Sequence, residues 1–157
     1  MRIEVDDLSR PQVHALLNEH LTNMFELSPP DKVFALDLAK LRAPEITFWT
    51  VWDDDVLLGC GALKELSATH GEVKSMRTPK ALRGRGAGRA VLAHIIGVAR
   101  QRSYDALSLE TGSNPAFAPA QALYRSFGFA YCGPFATYRE DPNSVFMSLR
   151  LAPRTDP

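Results

Sequence analysis

The stretch ALRGRGAGRAVL, positions 81–92, sets Gly84, Gly86 and Gly88 among Arg83, Arg85 and Arg89 and then turns apolar. Glycine is costly to order and neighbouring arginines repel one another, so the pattern asks for something negative. A strand, a glycine-rich turn and a helix N-terminus together make an anion site. The free N–H groups of the first helical turn point outward, and the macrodipole adds about half a positive charge. Glycines let successive amides converge on one ligand, and Arg83, Arg85 and Arg89 add charge at the rim.

Several anions are compatible with such a loop. A P-loop ends in Gly-Lys-Ser/Thr, which is missing, and Arg89 stands where the third glycine of a G-x-G-x-x-G fingerprint belongs. Nucleic-acid binding would want aromatic residues between the cations and net positive charge behind them. The chain has 18 Lys plus Arg against 18 Asp plus Glu, a net charge of +0. A solvated turn with a glycine cap is the plain alternative.

The elements that would hold this loop follow from periodicity. RIEV alternates as a first strand. Ser9 and Gln12 make a capping-box pattern with Pro11 in the first turn, and Val13, Leu16, Leu17, Leu21, Met24 and Phe25 follow at helical spacing. Asp31 is positioned to cap a second helix through Val33, Leu36 and Leu41, which Pro44 ends. From Ile46 the period becomes two: ITFWTVW, a DDD turn and VLLGCGALKEL form a hairpin. GEVKSMRT is another strand, expected to set Glu72, Lys74, Met76 and Thr78 on one face, and Pro79 closes it. After the loop come a helix through Val91, Leu92, Ile95, Ile96 and Ala99, the strand ALSLET and a short helix capped by Gly128. FAYCGPF and SVFMSLRL complete a β-α-α-β-β-β-α-β-α-β-β order. Three consecutive strands in the middle exclude a doubly wound parallel sheet and indicate a mixed α/β domain.

At 157 residues, 45% hydrophobic and 23% charged, the chain suits one globular domain over residues 1–151 with a disordered tail at 152–157. No apolar run reaches the ~20 residues of a membrane span, and the N-terminus lacks a signal-peptide pattern, so the expectation is a cytoplasmic protein away from membranes. Cys60 and Cys132 lie in apolar stretches and read as buried free thiols. The four histidines lack metal-ligand spacing, so no metal is expected.

The stretch RGRGAG resembles the Q/R-x-x-G-x-G/A pyrophosphate loop of the GNAT superfamily of acyl-CoA N-acyltransferases, with Arg83, Gly86 and Gly88 at the defining positions. Downstream, ALYRSFGF resembles the A-x-x-L-Y-x-x-x-G-F signature that closes that family's cofactor site. The family's order of elements matches the one above over nearly the whole chain. MFELSPP, KSMRT and DPNSVFM further resemble a bacterial subgroup of small GNAT proteins. The resemblance implies a twisted, mostly antiparallel sheet of six or seven strands with about four helices. Two of the strands splay apart around acetyl-CoA.

By the same resemblance, Met76, Arg77 and Thr78 offer backbone groups to the pantetheine arm. The amides of Arg83, Gly84, Arg85, Gly86, Ala87, Gly88 and Arg89 bind the diphosphate. The reaction implied is direct attack of an amine on the thioester through a tetrahedral intermediate, whose oxyanion an N–H at the splay steadies. A lysine-like amine near pKa 10.4 is only about 0.1% neutral at pH 7.4, so a base is needed, and Glu72 matches the family's glutamate for that role. Tyr124 matches its usual proton donor to the departing thiolate. Read alone, Glu72 is equally a solvated strand-end charge and Tyr124 a core tyrosine beside Leu123 and Phe127. One departure stands out: Phe117 occupies the position, seven residues before Tyr124, where many members carry asparagine, while Asn114 is out of register.

The acceptor region implied includes His14, His20, Ser28, Trp49, Trp52 and Tyr138, with core packing the default for both tryptophans. The reading is an N-acetyltransferase acting on a small-molecule, amino-acid or protein amine, with no nucleic acid among its partners and homodimerisation left open. A catalytically silent acyl-CoA binding module on the same fold is the alternative, and RNA binding through the arginine loop a third, weaker one.

Overall fold

A computed structural model describes residues 1–27 and 38–151. The strands are β1 (Arg2–Val5), β2 (Ile46–Asp53), β3 (Val56–Ser67), β4 (His70–Arg77), β5 (Ala106–Gly112), β6 (Ala130–Cys132) and β7 (Ser144–Arg150). The helices are α1 (Pro11–Leu27), the single turn α2 (Leu38–Leu41), α3 (Ala87–Gln101) and α4 (Ala118–Ser126). Their order along the chain is the expected one. The sheet runs β1-β2-β3-β4-β5-β7-β6, antiparallel throughout except where β4 meets β5.

The alternation of ITFWTVW divides two cores between the sheet's faces. Trp49 and Val51 join Val91, Leu92, Ile95, Ile96 and Ala99 of α3, while Phe48 and Trp52 join Val13, Leu16 and Leu17 of α1. Leu92 and Ile95 are fully buried, each removal from water being worth roughly 1.5–3 kcal/mol. Both tryptophans are therefore core residues on opposite faces.

Three local expectations change, and two fall outside the described residues. The Ser9–Gln12 capping box does not form: the Ser9 hydroxyl donates to Asp7 Oδ1, and Arg10 C=O is the first acceptor of α1. Cys60 is buried as expected, but Cys132 is exposed because β6 is an edge strand. Most of the helix expected from Asp31, and the tail at 152–157, lie outside the described residues. Finally, β4 is not one regular strand. Ala62 pairs with Lys74 and Cys60 with Arg77, so three steps on β4 oppose two on β3, with Ser75 at φ 54. This bulge breaks the alternation. Glu72, Lys74 and Arg77 share one face, while Met76 and Thr78 turn toward α3. No helix among the described residues is long and apolar enough to cross a membrane.

Candidate active site

β4 and β5 pair in parallel only from His70–Ala106 to Glu72–Ser108. Beyond that point β4 follows β3 to Arg77 and β5 follows β7 to Gly112, and the two strands part. A cleft of ≈ 790 Å³ opens between them, walled by both strands, the glycine–arginine loop and α4. Met76, Arg77, Thr78, Arg83, Gly84, Gly86, Ala87, Gly88, Arg89, Glu72 and Tyr124 all line it; Arg85 does not.

At one end lies the start of α3. Gly84 and Gly86 have φ of 83° and 84°, a left-handed conformation that side chains resist, and Gly86 is the helix N-cap. Gly88 is already helical, so its role is different: a Cβ there would lie 3.5 Å from Leu123 on the cleft wall. The first α3 bond runs from Ala90 N–H to Gly86 C=O, leaving the amides of Ala87, Gly88 and Arg89 without helical acceptors. Arg89 also donates to Ser126 and covers the Phe127 ring. Open backbone, free amides and the rim cations Arg83 and Arg89 together fit a diphosphate.

At the other end are the ionisable groups. Glu72 is 3% exposed, which rules out a solvated strand-end charge. Its Oε2 accepts from Lys74 Nζ at 2.9 Å and Tyr138 Oη at 2.6 Å, and Lys74 also donates to Tyr138 Oη at 3.0 Å. Burial, reinforced by the Glu72 carboxylate, pushes the Tyr138 phenol up. Tyr124 is buried with its ring edge-on to Phe129. Burial, with Glu110 adding, pushes its phenol up as well, so it stays protonated.

Glu110 is a cleft residue that sequence reasoning passed over. It follows Ser108, the β5 partner of Glu72, by two positions and so faces the same side. Burial pushes its carboxyl up to about 8; Lys74 opposes the shift, and Glu72 and Asp141 add to it. The only available signal was a lone acid in the apolar run ALSLET. Phe117 also lines the cleft, its ring lying so close over Gly112 that no side chain fits at that glycine. Asn114 stays out of the cleft and caps the turn Pro115–Phe117, accepting from Ala116 N–H at 2.9 Å.

Of the acceptor residues, Tyr138 reaches the cleft. His14 is tied to Leu8 C=O, Trp49 packs edge-on to His94, and Trp52 donates to Thr50 in the α1 core. The side chains of His20 and Ser28 lie outside the described residues.

The sequence profile of the Acetyltransferase (GNAT) family matches residues 11–129. The Bacillus subtilis protein YsnE, an uncharacterized N-acetyltransferase, is 58% identical over 151 residues, covering 96% of this chain and all (100%) of its own. A Klebsiella pneumoniae structure assigned to the acyl-CoA N-acyltransferases superposes with a TM-score of 0.77 at 27% identity, covering 96% of this chain and 97% of its own. A Bacillus subtilis acetyltransferase in complex with CoA superposes at 0.71 with 19% identity, covering 96% of this chain and 99% of that one.

Proposed function

The chain belongs to the GNAT acetyltransferase family and is an acyl-CoA N-acyltransferase; from that premise we propose that it moves the acetyl group of acetyl-CoA to a small amine by direct attack. One observation carries this reading: the cleft between β4 and β5 joins an anion cradle at the α3 N-terminus to a cluster of buried acids and phenols. The amides from Gly84 to Arg89, with Arg83 and Arg89 at the rim, hold the diphosphate. The bulged segment Met76–Thr78 offers main-chain groups to the pantetheine arm, and its position at the splay suits an N–H aimed at the tetrahedral oxyanion.

The proton bookkeeping then assigns roles. An ammonium acceptor loses two protons while its N–C bond forms and the C–S bond breaks. Glu110 takes the first and passes it to solvent, since a carboxyl near 8 holds a proton far better than an ordinary glutamate. Tyr124 gives its proton to the departing thiolate and recovers the second from the acetylated nitrogen. Glu72 was expected to be the base. Its Oε2 already accepts two hydrogen bonds, so it acts as a fixed anion drawing the ammonium in, with Lys74 and Tyr138 holding it.

The test uses acetyl-CoA bearing an isotope-labelled acetyl group and a mixture of amines, with products read by mass spectrometry. Labelled N-acetyl products that need intact Tyr124 support the reading. CoA binding with no labelled product from any amine would instead favour a silent binding module.

A further inference from the structure

We infer that the acceptor is a free amino acid, or a small amine bearing a carboxylate, and that Lys74 and Arg77 receive that carboxylate. The inference rests on the acetyltransferase reading and adds the substrate class. In a regular strand, residues three apart point to opposite faces. The bulge at Ser75 instead brings Lys74 and Arg77 to one face, the face of Glu72. Both cations line the cleft, and their side chains are only 8% and 10% exposed.

Neither cation has spent its donors. An ammonium carries three N–H bonds, and Lys74 uses two, on Glu72 and Tyr138. The Arg77 guanidinium reaches Glu19 through Nη2 at 3.1 Å, while its buried Nε has no hydrogen-bond partner. A buried donor left without a partner is costly, and the guanidinium keeps N–H groups beyond the one on Glu19 for a ligand oxygen.

The sign of the charges narrows the class. A simple cationic amine is best served by an acidic wall and is repelled by two desolvated cations. Here the same face carries Glu72 and Glu110 together with Lys74 and Arg77. That alternation complements a zwitterion: ammonium toward the acids, carboxylate toward the cations. Peptide N-termini and polyamines lack the second half. The transfer on such an acceptor is the one balanced above, giving an N-acetyl amino acid and free CoA.

Matched acceptor pairs test this, each an amino acid beside the amine that lacks only its carboxylate: phenylalanine and phenethylamine, tryptophan and tryptamine, lysine and cadaverine. Thiol release from acetyl-CoA is followed, and kcat/KM is compared within each pair. The standard amino acids are screened first to choose the best pair. The expected preference for the carboxylate form is roughly 10- to 100-fold, the worth of one charge-assisted contact. Arg77→Gln and Lys74→Met should each shrink that ratio by roughly tenfold. Because both acceptors are measured on one preparation, the ratio is unaffected if a variant folds less completely. Decarboxylated amines that react equally well would overturn the inference, as would a ratio unmoved by both substitutions. So would silence with every amino acid while acetyl-CoA still raises the melting midpoint. If acetyl-CoA has no such effect, the acetyltransferase reading itself fails.

Discussion

Burial pushes up both the Tyr124 phenol and the Glu110 carboxyl, and removing each should be felt differently. Tyr124→Phe keeps the ring and its edge contact with Phe129 but loses the proton for the thiolate. We expect kcat to fall by roughly 10²- to 10⁴-fold with CoA affinity unchanged, read by steady-state kinetics beside ligand titration. Glu110→Gln tests the base. Glu110 is active when ionised, so the ratio of wild-type to variant rate should climb with pH and level off above about 8. A flat ratio excludes it from proton transfer. Stability should move the other way. The folded state holds this proton from the ordinary value of 4.5 up to about 8, where the unfolded chain has lost it. Rising pH in that window therefore favours unfolding. Denaturant midpoints should show Glu110→Gln gaining on the wild type as pH rises through the window.

At the scale of elements, the three loop glycines do different work and can be separated by substitution. Gly86→Val forces a β-branched residue to φ 84°, where the nearest side-chain atom to a new Cβ is 3.8 Å away, so the cost is conformational. A loss of roughly 1–3 kcal/mol is expected by denaturation. Gly88→Ala should leave the free protein as stable or stabilise it by up to about 1 kcal/mol, because the position is helical. Its methyl group faces the cleft wall, so CoA binding should weaken all the same, and calorimetric titration of both variants checks the contrast. This loop was legible in the sequence because positive φ favours glycine and three glycines cluster there, and the order of elements was legible because the hydrophobic period changes at Ile46 and breakers such as Pro79 and Gly128 mark the ends. The bulge was not legible. Ser75 takes its left-handed conformation without glycine, so KSMR reads as an unbroken strand and its face assignment was wrong beyond Lys74. Glu110 was missed for a related reason: its chemistry comes from burial beside Glu72 and Lys74, residues distant in sequence.

On the scale of the whole molecule, the cleft divides the sheet. β1 to β4 form one part and β5, β7 and β6 the other, and their ladder spans only His70–Glu72 and Ala106–Ser108. The Asp105 N–H to Thr69 C=O bond extends the join by one step at that end. Past Glu72, the β5-facing edge of β4 has no strand partner, so these backbone groups are available to an extended ligand. A molecule filling the cleft would contact both parts and bind only the folded state. At a hundred times its dissociation constant such a ligand adds about 2.7 kcal/mol, which for a chain of this size raises the midpoint by roughly 5 to 10 °C. Acetyl-CoA and CoA should both produce that shift in a thermal melt, and ATP, which has no arm to lie along β4, should produce much less. Hydrogen exchange then tells where the ligand sits. Protection is expected at Val73–Arg77 and in the 84–89 loop, with the remote edge strand β1 unchanged. A melt that rises equally with ATP, or protection confined to the loop, would mean that the phosphates alone are recognised and that the parted strands take no part in binding.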